Sequence, residues 1–193
     1  MLQQLKVKLT GVCPLLMHNI RLANPMDEYV REIKALTGLK GKAKTDEVRA
    51  KIAELEFMGG MYSNENGEYI LPSDCIEGTI KKGAMKEKQG QVALAAVYVM
   101  DDFLLTKYNG PKDPHARLAD KQCYDMRMAT VQQKRVLRTR PKFTNWEASG
   151  TITFDAGQVD EESIKRWLSV AGQQCGVGDY RPKFGRFEVE FLK

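Results

Sequence analysis

The sequence predicts an α+β fold: a ferredoxin-like, RRM-like core carrying two large insertions. Three observations lead there. Near the start, Leu5, Val7 and Leu9 alternate with Lys6, Lys8 and Thr10, and at the end Phe187, Val189 and Phe191 alternate with Arg186, Glu188 and Glu190. Each is the period-two pattern of a strand with one buried face. Two amphipathic stretches, about 74–88 and 160–174, have helical spacing. Apolar material at about 93–105 and 146–154 reads as strands, so the regular elements run strand, helix, strand, strand, helix, strand. The segments left over, about 11–71 and 107–144, are too long for simple connections and are expected to be insertions into a single domain.

In chain order, Gly11 ends the first strand and Pro14 denies the next stretch a ladder donor. Met26, Tyr29, Val30, Ile33 and Leu36 share the face of one helix, and Val48, Ile52 and Leu55 that of a second, which Gly59-Gly60 is expected to stop. Asn64-Glu65-Asn66-Gly67 between two short apolar runs predicts a hairpin. Asp74 and Glu77 have capping-box spacing at the entry to a helix lined by Ile76, Ile80 and Ala84. Ala93 to Leu105 reads as strand broken at Asp101-Asp102, and 107–120 as a loop. Trp146, Ala148, Gly150, Ile152 and Phe154 alternate as a strand. Asp160-Glu161-Glu162 then opens a helix whose Ile164, Trp167, Leu168 and Ala171 face one way.

Composition narrows the function classes. A chain of 193 residues can bury a real core. A formal net charge of +5 favours an anionic partner. No apolar run is long enough to cross a bilayer, so no membrane partner is expected, and Met1 to Lys6 lacks the shape of a signal peptide. Cys13, Cys75, Cys123 and Cys175 form no C-x-x-C pair, which argues against zinc and disulfides and for a reducing cytoplasm. No metal or cofactor is expected.

Two stretches suit an anionic partner. Gly176, Gly178 and Gly185 punctuate a loop that also holds Tyr180, Arg181, Lys183 and Arg186. Glycine admits backbone turns whose successive N–H groups cradle anions, although a helix cap ending in glycine explains part of the same pattern. The loop is neither a Walker loop nor a dinucleotide fingerprint. From Met126 to Trp146 no acidic residue occurs, while Lys134, Arg135, Arg138, Arg140 and Lys142 are all basic, a run suited to phosphate contacts. The aromatic signature of a true RRM is absent, so base stacking on the sheet is not expected. Tyr180 and Phe184 remain candidates for stacking from the loop.

Three places in one order resemble the RAMP superfamily, the repeat-associated proteins of CRISPR systems. Leu9-Thr10-Gly11-Val12-Cys13-Pro14-Leu15-Leu16 resembles its first strand and following loop. Ile70-Leu71-Pro72-Ser73-Asp74-Cys75-Ile76-Glu77-Gly78 resembles its turn into the first core helix, and Gly176 to Val189 its glycine-rich loop before the last strand. The match is nearest to the backbone subunits that assemble along CRISPR RNA. Glu77 in place of the usual lysine, Ser73 in place of a glycine, and Asp179, Tyr180 and Pro182 among the glycines depart from the family pattern, and the short chain suggests a compact stand-alone relative, such as one carried by a phage. The resemblance implies a protein that binds single-stranded RNA, with single-stranded DNA as the alternative. It also implies head-to-tail self-association into a filament, a thumb-like insertion at the basic segment, and contacts with other CRISPR-type subunits.

Two other readings stay open. Nucleases related to this family use a histidine for acid–base work, and His18 follows the first strand; an RNA endonuclease is therefore an alternative, with His18 its candidate catalytic residue. Asp27, Asp101, Asp102, Asp113 and Asp120 are candidates for metal-assisted cleavage, but no pair has ligand spacing. The third reading is a phage interaction or assembly protein that handles no nucleic acid.

Overall fold

The computed structural model describes residues 1–131 and 133–192, except for the side chains of Val131 and Lys134. It shows an α+β protein with antiparallel sheets. The elements are β1 (Leu2–Gly11), β2 (Leu15–Leu16), α1 (Glu28–Thr37), α2 (Asp46–Gly60), β3 (Ile70–Leu71), α3 (Ser73–Lys86), α4 (Gly90–Ala96) and β4 (Val97–Tyr98). They continue with β5 (Phe103–Lys107), α5 (Pro114–Ala119), β6 (Tyr124–Val131), β7 (Lys134–Phe143), β8 (Glu147–Asp155), α6 (Glu161–Val170) and β9 (Phe187–Leu192). None of the described helices is long and apolar enough to cross a membrane. The chain gathers into two compact units. The first comprises residues 1–15, 63–109 and the chain from Phe143 on; the second comprises 16–62 and 110–142.

The first unit is a sheet in the order β3-β5-β8-β1-β9, with β4 also on β8, backed by α3 and α6. β1 lies antiparallel between β8 and β9, in register Leu5 to Ile152 and Leu9 to Val189. The alternation read from the sequence decides which face is buried. Leu5, Val7, Leu9, Ala148, Ile152 and Phe154 are buried, and they meet Ile76, Ile80 and Ala84 of α3 and Ile164, Trp167 and Leu168 of α6 in one core. The opposite face carries charge. Lys107 Nζ lies 3.0 Å from Glu147, Lys8 Nζ lies 3.8 Å from Glu147 and 3.1 Å from Glu190, so alternating charges bridge β5, β8, β1 and β9. The Glu190 hydrogen bond, then the Glu147 charge, raises the Lys8 pKa. The Lys107 hydrogen bond holds the Glu147 carboxyl below its ordinary value.

The second unit packs α1 on α2 and holds a three-stranded sheet in the order β2-β7-β6. Phe57 and Leu55 are buried on α2, while α1 has no fully buried residue.

Gly59 and Gly60 do end α2, as its last two residues, and Met61 caps it. A Cβ at Gly59 would press on Leu22 and Tyr29, so glycine is there for close packing. Several local expectations are corrected. The Asn64–Gly67 turn is a tight loop, with the Asn64 side chain accepting from Asn66 and Glu68, but it joins only an isolated bridge between Ser63 and Tyr69. Asp74 and Glu77 make no capping box. The helix starts at Ser73, whose N–H is capped by Asp102 at 2.8 Å, and Glu77 accepts from the Val99 N–H at 2.7 Å. The first part of the 93–105 strand expectation is helix α4, and the 107–120 loop holds α5. The basic 127–142 segment is most of the β6–β7 hairpin.

Candidate nucleic-acid interface

The glycine loop is built by its own backbone. α6 runs into a wider helical turn at Ala171–Cys175, and Gly176 ends it with φ of 73°. Val177 then turns inward, fully buried, and its N–H donates to the Gly185 carbonyl at 2.9 Å, while the Gly185 N–H donates to the Pro14 carbonyl at 2.8 Å. Gly176 and Gly185 are therefore structural positions: a Cβ on either would strike the backbone of the crossing strand, at Phe184 and Val177 respectively. The N–H groups of Gly176, Val177, Phe184, Gly185 and Arg186 all donate within the protein, so an anion cradle in the backbone would have to lie in the outer turn, 178–183. Gly178, also at positive φ, opens the outer turn.

That outer turn presents cations. Arg181, Lys183 and Arg186 are exposed, and Tyr180 is 41% exposed above the buried Phe184, edge to face at 6.0 Å between ring centres. Phe184 is a core residue, and of the two aromatic candidates only Tyr180 has a face to offer. Lys82 of α3 joins this cluster. Partial desolvation, then the Arg181 charge, lowers its pKa. Arg181 also reaches Cys75 of α3, where it opposes the upward shift that burial imposes on the thiol. Beside them Gly78 leaves open space where a side chain would stand. Arg181 and Lys82 thus stand together at α3, where Asp74 and Asp102 also act on Cys75, while Lys183 and Arg186 are exposed on the same loop.

The basic hairpin is different from the run of free cations that the sequence suggests. Arg138 Nη1 donates to Glu56 of α2 at 2.7 Å. Arg127, opposite it across the hairpin, is clamped by Asp125 on its own strand. Arg140 is buried and Lys142 half-buried. The Lys134 side chain lies outside the described residues. Arg135 alone, among the described basic residues of the predicted set, is well exposed. The Arg138 counter-charge is invisible along the chain because Glu56 comes from a helix far away in sequence.

Four of the five aspartates considered for metal chemistry are accounted for otherwise; Asp101 is exposed. Asp27, Asp102 and Asp113 cap α1, α3 and α5, and Asp120 accepts from the Gln122 N–H. Burial opposes ionisation of Asp27, but hydrogen bonds from Arg21 and the Tyr29 N–H outweigh it and lower the pKa. Among the described residues no cluster of His, Cys, Asp or Glu could hold a metal ion, and all four cysteines are free thiols. His18 lies in the second unit, its carbonyl accepting from Tyr62 Oη at 3.3 Å. Lys82 was the residue missed by motif reading. The exposed lysines of its helix were visible as a set, but only the fold selects the one beside Arg181.

No protein-family model matches this chain, and a search of curated proteins returned no significant match.

Proposed function

We propose that this chain binds single-stranded RNA and assembles along it as a compact, stand-alone relative of the CRISPR backbone subunits. The observation that carries the reading is the rigid loop of 176–186. Its partly buried backbone carries the exposed Arg181, Lys183, Arg186 and Tyr180, with Arg181 beside Lys82. Exposed cations with an aromatic face are the chemistry of single-strand binding, where phosphates pair with charge and one base stacks. The sheet order, with the last strand beside the first and a helix after each of β1 and β8, supports the split β-α-β plan of the RAMP core. Among the described residues the charged ladder on the open sheet face carries one exposed ring, Tyr98 of β4, whose hydroxyl donates to the Ala95 carbonyl.

The test is fluorescence anisotropy with a labelled 30-nucleotide RNA, and the same DNA strand, over a salt series. Arg181→Glu with Lys183→Glu should weaken binding to all sequences alike, and each lost phosphate contact should reduce the salt slope by about 0.7. Unchanged affinity and slope would reject the site. Tighter binding of the DNA would reassign the ligand, and cleavage abolished by His18→Ala would replace binding with nuclease activity.

A further inference from the structure

The second unit contains an apolar groove of about 550 Å³. Val30 and Ile33 of α1 and Ile52 and Ala53 of α2 form its floor, and its wall is four consecutive residues of β7, 136–139. Side chains of a strand alternate between faces. Four in succession bordering one space is the pattern of a space that runs along the edge of the strand. Two bonds say which edge. The Thr139 N–H donates to Glu56 Oε2 at 2.8 Å, and the Pro141 carbonyl accepts from the Met17 N–H at 3.0 Å. Odd-numbered residues of β7 therefore aim their backbone groups away from β6, since these alternate along an antiparallel strand. Leu137, two residues before Thr139, turns its N–H and carbonyl into the groove. β2 follows this edge for only two residues, and the Glu56 carboxylate takes the next donor. Among the described residues no strand continues beyond it.

We propose that the groove takes up an extended segment of a partner protein as an added strand on β7, with apolar side chains on the α1–α2 floor and carboxylates at the rim. Charge selects this occupant. Lys34, Lys44 and Arg49 stand on the rim, Arg49 also holding Asp46. The one acidic residue of the lining, Glu56, is already answered by Arg138. An apolar floor inside a cationic rim suits a chain that alternates apolar and acidic residues. The backbone edge supplies the ladder bonds that make strand addition sequence-tolerant. Among the described residues no aromatic ring lines the groove, so they give a nucleic acid no surface for stacking. This site is separate from the cationic loop in the first unit.

The register supplies a clean variant. Pro141 already occupies an odd position of β7, where a missing N–H costs no bond to β6. Leu137→Pro should likewise spare the hairpin while removing the donor that faces the groove. The experiment titrates the full-length ¹⁵N-labelled protein with a ten-residue peptide alternating valine and glutamate, and with its valine–lysine counterpart. The glutamate peptide should protect the Leu137 amide and bind at least tenfold more tightly than the lysine peptide. Leu137→Pro and, independently, Ile33→Glu should each lose at least tenfold, with the circular dichroism spectrum unchanged. Absence of binding, equal affinity for both peptides, or protection confined to even-numbered residues of β7 overturns the proposal. So does protection of Leu137 by RNA, which would give the groove to nucleic acid, or self-association lost in Leu137→Pro, which would give it to a second copy.

Discussion

Thr79 sits in the middle of α3, fully buried, and its hydroxyl finds no hydrogen-bond partner among the described residues. A buried hydroxyl without a partner costs about 1–3 kcal/mol, and valine has nearly the same shape. Thr79→Val should therefore raise the thermal midpoint; a lower midpoint in calorimetry would show that the hydroxyl is satisfied. Gly185 gives the opposite case. Its φ of 73° and the Val177 carbonyl against its α-carbon leave no room for a methyl group. Gly185→Ala should destabilise by about 1–3 kcal/mol, read as a lower urea midpoint, and should loosen the loop that holds Arg181. Asp155 supplies a pH dependence. Hydrogen bonds from the Gln158 side chain and the Gly157 N–H, then from the Met1 amine, pull its pKa down from 3.8 to about 2. A carboxyl with a depressed folded-state pKa stabilises fully above its unfolded value and loses that contribution as pH falls through the folded one. The urea midpoints of wild type and Asp155→Asn should differ at pH 7 and converge between about pH 4 and 2. A difference that stays constant down to pH 2 would contradict this.

At the scale of elements, β7 depends on α2. Glu56 is 4% exposed and binds both Arg138 and the Thr139 N–H. Removing it strands a guanidinium and a backbone donor, so Glu56→Ala should cost about 2 kcal/mol or more. Hydrogen exchange should quicken first in β7; unchanged protection there would mean that the hairpin stands without α2. The same dependence explains what was legible in the sequence. Elements whose instructions are local could be read: β1, β8 and β9 from alternation, and α6 from its Asp160 cap and the periodic Ile164, Trp167 and Leu168. Elements set by distant partners could not. α3 begins where Asp102 caps it, and the Asp74–Glu77 spacing is coincidental. The hairpin went unseen because its alternation sets Met126 and Met128 against Arg127, and Leu137 beside Arg138, so that charge conceals the period. In α4 the run Ala93-Leu94-Ala95-Ala96 did carry a helix signal, which the neighbouring apolar strands obscured. The candidate site divides in the same way. The cations of 181–186 were readable because they are exposed, whereas the pairing of Arg138 and the burial of Arg140 follow only from folding.

For the whole molecule, the assembly reading predicts that particle mass grows with the length of RNA supplied. Mass photometry with 20-, 40- and 80-nucleotide strands should show steps of one subunit mass, as expected of head-to-tail contacts that do not close. A particle of constant mass at all three lengths would leave binding possible and end the filament. A last consequence concerns time rather than space. β1 is made before both of its neighbours, β8 and β9, which lie far later in the sequence. Leu5 waits for Ile152, and Leu9 for Val189. Contacts of such separation close slowly. Until they do, Leu5, Val7 and Leu9 have no sheet to join, which is the condition in which nascent strands stick to one another. The second unit, complete once Lys142 has emerged, has no need to wait for them. During synthesis the protein is thus expected to acquire its grooved unit early. The sheet that supports the cationic loop closes only after β8 and β9 have been made, so the loop gains its framework later than the groove does.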